Sequence, residues 1–292
     1  MSISINKSPD NNTEISALGQ IVYWTLGNKT DADFLKKELE NQNMETFAPD
    51  KNTNKASLKI ALTSVCANRR RLVRPLVGER GYAVVTEKKD SNGVSLGHSV
   101  DFDALLPDGK TEPVFRNPAD GSIFNPPEEN AILHRYQIEQ QRCSSHKLGI
   151  AMVKMVDRLH GVSLRPTGGF YWIPEPAIPR WNLLAQSIQD SSPDKSNVVY
   201  SVRTAMDDQL RSAVISGLTH SIETEIKAMQ ESLETDDLGK RALKTKSSRC
   251  GRLRQRVVGY QKMFSVALTQ LEDQLDEVET AEAFSVLSSL GA

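Results

Sequence analysis

No stretch of this sequence approaches the roughly 18 uninterrupted apolar residues that a membrane span requires. Its N-terminus, MSISINKSPDNNTE, has neither the basic start nor the apolar run of a signal peptide. Both absences predict a cytoplasmic protein with no membrane contact. Cysteine is scarce. Cys66, Cys143 and Cys250 are odd in number and far apart, which is neither a disulfide framework nor a zinc spacing and suits a reducing compartment. Net charge is missing too: 36 Lys and Arg against 37 Asp and Glu leave -1. No global field therefore draws the chain to nucleic acid or an anionic membrane, and any such binding must be local. Hydrophobic residues, at 38%, are on the low side for a globular chain, which fits exposed helices and polar tails.

Metal and nucleotide signatures are absent as well: the sequence has no HExxH, no P-loop and no GxGxxG. His98, His134, His146, His160 and His220 stand at no zinc-finger offset from cysteine and read as structural. Cys143 and His146, three apart, would share a helical face and make a poor soft-metal site on their own. Asp101 with Asp103, and Glu128 with Glu129, are acidic pairs of the kind found on any surface. The expectation is a non-enzyme with no catalytic residue, no metal and no cofactor.

What is present is an architecture. A chain of 292 residues suffices for about two domains. Residues 1–13 are too polar to bury surface and read as a disordered tail. Residues 14–125 read as an α+β domain. It begins with an apolar run from Ile21 to Leu26, as strand or buried helix, and a helix opened by a Thr30 and Asp33 capping box follows. A second helix is expected from about Lys55 to Arg70. Strands near Tyr82–Glu87, Val94–Phe102 and Thr111–Phe115 are set off by Asn92-Gly93 and Asp108-Gly109. Asn125-Pro126-Pro127 closes the domain. Residues 126–203 form a middle region. Helical spacing runs over 128–160 with an interruption at Cys143-Ser144-Ser145, and a hairpin turns at Pro166-Thr167-Gly168-Gly169. A short helix about Trp181 and a strand over Val198–Val202 complete it.

The clearest element is a long antiparallel helical hairpin over 204–280, before a C-terminal tail at 281–292. Leu210, Val214, Leu218, Ile222, Ile226, Met229 and Leu233 form one apolar stripe. Leu253, Val257, Tyr260, Phe264, Leu268, Leu271, Leu275 and Val278 form a second with near-heptad spacing. Read as one continuous arm, the second stripe overhangs the first, leaving Leu271 and Leu275 for self-association or a protein partner.

Between the stripes lie eight cations in seventeen residues: Lys240, Arg241, Lys244, Lys246, Arg249, Arg252, Arg254 and Arg256. A turn near 235 sets this stretch against Glu223, Glu225, Glu231 and Glu234, favouring pairing between the arms. Salt-dependent nucleic-acid binding is the alternative. The acidic run from Glu272 to Glu282 suggests head-to-tail contacts between molecules. Arg69, Arg70, Arg71 and Arg74 read as a solvated helix end. Tyr171 and Trp172, in a segment dense in glycine and aromatics, suit either a hairpin whose aromatics alternate between core and edge or a stacking platform.

The run Val162-Ser-Leu-Arg-Pro-Thr-Gly-Gly-Phe-Tyr-Trp-Ile-Pro followed by long helices, together with Gly19-Gln-Ile-Val-Tyr-Trp, resembles a family of uncharacterised proteins of bacteria and their phages. The architecture is also similar to that of the helical companion proteins of MoxR-type AAA+ ATPases. These resemblances bring no catalytic residue. They imply a bacterial or phage interaction or assembly protein, with nucleic-acid binding through 240–256 as the alternative and partnership with an AAA+ ATPase third.

Overall fold

The computed structural model describes residues 19–68, 70–78, 80–89, 95–165, 168–234, 240–264 and 268–290, without the side chains of 89, 95–96, 232–234, 240–249 and 281–290. The expected tail at 1–13 lies outside the described residues. The fold is mixed α and β with small antiparallel sheets, in chain order β1 (Gly19–Thr25), β2 (Thr30–Asp31), α1 (Ala32–Asn41), α2 (Asn54–Cys66), β3 (Arg71–Pro75), β4 (Gly81–Lys89), β5 (Ser95–Leu105), β6 (Val114–Arg116) and α3 (Glu129–Gln140). Then follow β7 (Arg142–Cys143), α4 (Ser145–Arg158), β8 (Val162–Ser163), β9 (Tyr171–Pro174), α5 (Ile178–Asp190), β10 (Val198–Thr204), α6 (Asp208–Glu234), α7 (Lys240–Phe264) and α8 (Thr269–Leu290). The chain divides into two compact units, one built from residues up to 24, 156–182 and 200–292, the other from 25–155 and 183–199.

In the second unit, β3-β4-β5-β6 form an antiparallel meander. Alternation turns Tyr82 and Val84 of β4 and Phe102 and Ala104 of β5 onto a core that also holds Leu58, Leu62, Ile132 and Tyr136 of α2 and α3. Two local expectations change here. The first helix is capped by Asp31, whose carboxylate accepts from the N–H groups of Asp33 and Phe34 at 3.0 Å, because Thr30 is held in β2 opposite Cys143. The second helix stops at Cys66: Asn68 Oδ1 accepts from the N–H groups of Arg70 and Arg71 at 2.9 Å and turns the chain into β3. The interruption expected about Cys143 is there: Arg142 and Cys143 form the short β7 between two helices.

In the first unit, β1 pairs antiparallel with β9, in a sheet of order β10-β1-β9-β8. Ile21 opposes Trp172 and Val22 opposes Tyr171, so successive residues serve opposite faces. Trp172 and Val162 join one buried cluster with Val214, Leu218, Ile222 and Ile226 of α6, Leu253, Val257, Tyr260 and Phe264 of α7, and Leu271, Leu275 and Val278 of α8. Gly217 lets α6 lie on β8: a Cβ there would meet the Ser163 carbonyl oxygen at 2.2 Å.

The continuous overhanging arm is corrected. Helix α7 ends at Phe264 and a separate helix begins at Thr269, where the N–H groups of Leu271 and Glu272 bond Leu268 O. Contacts from Arg254 of α7 to Asp276 and Glu279 of α8 require α8 to double back along α7. Leu271 and Leu275 are thereby buried by their own chain. Hydrophobic spacing alone cannot distinguish a straight arm from one that folds back and buries the same stripe.

Candidate functional site: an aromatic sheet edge and a cationic cavity

Two features of the first unit present chemistry to solvent. On the sheet face that carries Ile21 and Trp172, strand alternation continues to Tyr23 on β1, Phe170 just before β9 and Tyr200 on β10. The rings of Tyr23 and Tyr200 stack at 4.7 Å and 13°, and Tyr23 meets Phe170 at 5.1 Å. Arg165 lies over the Phe170 ring at 5.7 Å. Tyr200, Val202 and Phe170 are 42%, 51% and 44% exposed. Among the described residues, strand β10 is the outer strand of its sheet, and its residues 200–203 are all exposed.

Of the two aromatics singled out in the sequence, neither is a platform. Tyr171 is buried on the opposite face, stacked on Trp24 at 4.9 Å and 3°, and Trp172 is sealed into the helical core beside Tyr260 and Phe264. The alternation of core and edge holds. The exposed members are Phe170, Tyr23 and Tyr200, which a count of adjacent aromatics does not pick out but a strand period of two does.

The second feature is a cavity of about 440 Å³ lined by Leu159, Pro174, Pro176, Ala177, Tyr260 and Met263, with Arg158, His160, Arg180, Gln255, Arg256 and Gly259. Residues 255, 256, 259, 260 and 263 lie at helical spacing on one side of α7. Facing them is the end of α4, where His160 takes a left-handed backbone (φ 58) and its N–H, with that of Gly161, caps the carbonyls of Asp157 and Val156. Arg256 fixes this corner. Its Nη1 donates to Asp157 Oδ1 at 2.8 Å and its Nη2 to Gly161 O at 2.6 Å, while the Tyr260 hydroxyl donates to His160 O. Arg256 is only 6% exposed, and its Nε–H has no partner among the described residues. Desolvation, then the Arg256 charge, hold the His160 pKa below the usual 6.5. Desolvation likewise raises the Tyr260 phenol.

The basic stretch separates into parts. The side chains of Lys240, Arg241, Lys244, Lys246 and Arg249 lie outside the described residues. Arg252 is exposed on α7. Arg254 bonds α8 instead of the α6 acids expected from a straight hairpin, donating to Asp276 Oδ1 at 2.5 Å and to Glu279 Oε2 at 2.8 Å. Glu279 first and Asp276 second raise its pKa. Arg256 also departs from expectation: its acidic partner is Asp157, and its burial removes it from any phosphate-binding surface. The acidic run therefore serves α7 of the same chain through Asp276 and Glu279, so these two residues do not argue for contacts between molecules.

In the second unit, Arg71 is no solvated helix end. It opens β3 and joins Asp101, at 2.9 Å, to Glu128, at 2.7 Å, two acids read as ordinary surface. Arg71 lowers the Glu128 pKa. Cys66 and Cys143 are buried, and desolvation raises each thiol to about 11, far from nucleophilic range. His146 is exposed on α4 while Cys143 is buried in β7, so they do not form a ligand pair. Among the described residues, no three of His, Cys, Asp and Glu are grouped to hold a metal ion, and no helix is long and apolar enough to cross a membrane.

One family model matches the chain, over residues 17–287: Family of unknown function (DUF6744). No curated protein and no solved structure matches it.

Proposed function

For this chain, which belongs to DUF6744, a family of unknown function, we propose a non-enzymatic interaction protein that associates with its own copies through β10. The observation that carries this reading is an outer strand whose Tyr200 and Val202 stand exposed beside Tyr23 and Phe170. An outer strand offers unpaired N–H and C=O groups, and proteins usually blunt it with lysine, proline or a bulge. The sequence VVYSVRT carries only Arg203. Antiparallel pairing of two copies about Ser201 sets Tyr200 opposite Val202 twice and Arg203 opposite Val199. That gives two aromatic to β-branched pairs and no like charges in register. A net charge of -1 adds no general repulsion.

The Val199 N–H already bonds Gln189 Oε1 at 3.3 Å, so the new pairing centres on Tyr200, Ser201 and Val202 and falls short of the roughly 1,000 Å² of a stable interface; association therefore depends on concentration. Light scattering on the full chain should show the mass rising from 32.4 kDa towards twice that value as concentration increases. Val202→Lys should hold it at the monomer without lowering Tm, and Ser201→Cys should give a disulfide-linked dimer on mild oxidation. A monomer at every concentration, with no cross-link, would remove the proposal. Self-association through Leu271 and Leu275 is not retained, because both are buried in the chain's own core.

The stacked Tyr23, Tyr200 and Phe170 with Arg165 above Phe170 support a second reading, a platform for single-stranded nucleic acid. Anisotropy with a labelled oligonucleotide separates the two. Binding that weakens with salt and is lost in Phe170→Ala, while the mass stays monomeric, would favour this reading.

A further inference from the structure

We propose that the cavity between α7 and the end of α4 is a binding site for a small monocarboxylate with an aliphatic body. Three observations converge. Its volume of about 440 Å³ falls within the range of small-molecule sites, and its walls are mostly apolar, from Leu159, Pro174, Pro176, Ala177 and Met263. The charged lining is all of one sign: Arg158, Arg180 and Arg256 line it and no carboxylate does. The nearest acid named by contact, Asp157, is engaged by Arg256. An apolar chamber with a cationic edge selects a ligand carrying both a hydrocarbon body and a negative head, and rejects either part alone.

The third observation is Gly259. Glycine inside a helix is less stable than alanine, and such a position is usually kept because a neighbour needs the room. Among the described residues, no atom outside its own stretch of helix lies within 4 Å of a Cβ built at Gly259. The room is therefore left to the cavity that Gly259 lines. Gly251 of the same helix is equally open, but it does not line this cavity.

The aliphatic walls of Leu159, Pro174, Pro176, Ala177 and Met263 suit a saturated chain. Arg256 is held by Asp157 and Gly161 O and supplies a fixed field. Arg158, on the exposed last turn of α4, is placed to pair with the carboxylate.

The test is calorimetric titration of the full chain with octanoate, acetate and octanol. Octanoate should bind saturably at one site per chain, with acetate and octanol each weaker by about tenfold or more. Gly259→Leu should abolish octanoate binding with Tm unchanged or raised. Arg158→Gln, at an exposed position, should weaken it by about tenfold while the fold is kept. Absence of saturable octanoate binding, equal binding of octanol, or full affinity in a folded Gly259→Leu variant would overturn the proposal. If Gly259→Leu does not fold, undiminished binding by Arg158→Gln overturns it alone. None of these outcomes bears on pairing through β10.

Discussion

His160 concentrates several constraints in one residue. Its left-handed backbone ends α4, its carbonyl accepts from Tyr260, and its ring meets desolvation and the Arg256 and Arg158 charges, offset only in part by Asp157. Folding therefore favours the neutral ring. Because the folded pKa lies below the unfolded value near 6.5, the unfolded chain binds the proton more readily. The neutral ring's contribution is complete above that value and is lost as pH falls through the folded pKa. His160→Asn keeps a residue tolerant of positive φ and removes the titration. Its Tm should fall less than that of the wild type between about pH 7.5 and about pH 5.5; equal falls would show that His160 carries no such linkage. Little of this was legible beforehand. The spacing of His160 from other ligands excluded a metal motif, but a residue on α7 nearly a hundred positions away supplies its environment.

At the scale of elements, the Arg254 connection decides how the last two helices lie. Arg254 bonds both Asp276 and Glu279, and all three side chains remain partly exposed, so the network contributes about 1 kcal/mol or less. Arg254→Glu sets three acids together and should lower the Tm by a few degrees, of the order that about 1 kcal/mol implies. Asp276→Lys with Glu279→Lys in the same chain should recover most of the loss. No recovery would mean that Arg254 acts by packing alone. Periodicity located the apolar stripes now carried by α6, α7 and α8, while strands at Arg71–Pro75, Thr30–Asp31 and Arg142–Cys143 went unread, and the turn expected at Pro166-Thr167 lies outside the described residues. Periodicity did not locate the break after Phe264, because folding back preserves the set of buried residues and only changes what covers them. The pairing of β7 with β2 was equally hidden, since two-residue strands have no period to detect.

For the whole molecule, the three thiols offer a measurement that spans both units. Cys66, Cys143 and Cys250 are all buried, and burial holds the first two near a pKa of about 11. A thiol-specific chromogenic reagent should react with none of them rapidly at neutral pH in the folded chain and with all three in denaturant. A fast-reacting thiol in the native protein would show that one unit opens readily. The composition anticipated reduced thiols. It did not anticipate that the first strand and the last three helices share one unit, since such pairing leaves no trace in local spacing.

That arrangement bears on how the protein is made. Strand β1 finds β9 about 150 residues later, so at a synthesis rate of about 5 to 20 residues per second it waits on the order of 8 to 30 seconds for its partner to be translated. During that interval Ile21, Val22, Tyr23 and Trp24 have no sheet to join, and the ribosome exposes an apolar tetrapeptide of high strand propensity to the cell. The second unit's meander pairs only neighbours in sequence and can close while translation continues. The newborn chain is thus a folded meander trailing an unsatisfied strand, and that strand is where a chaperone would be needed.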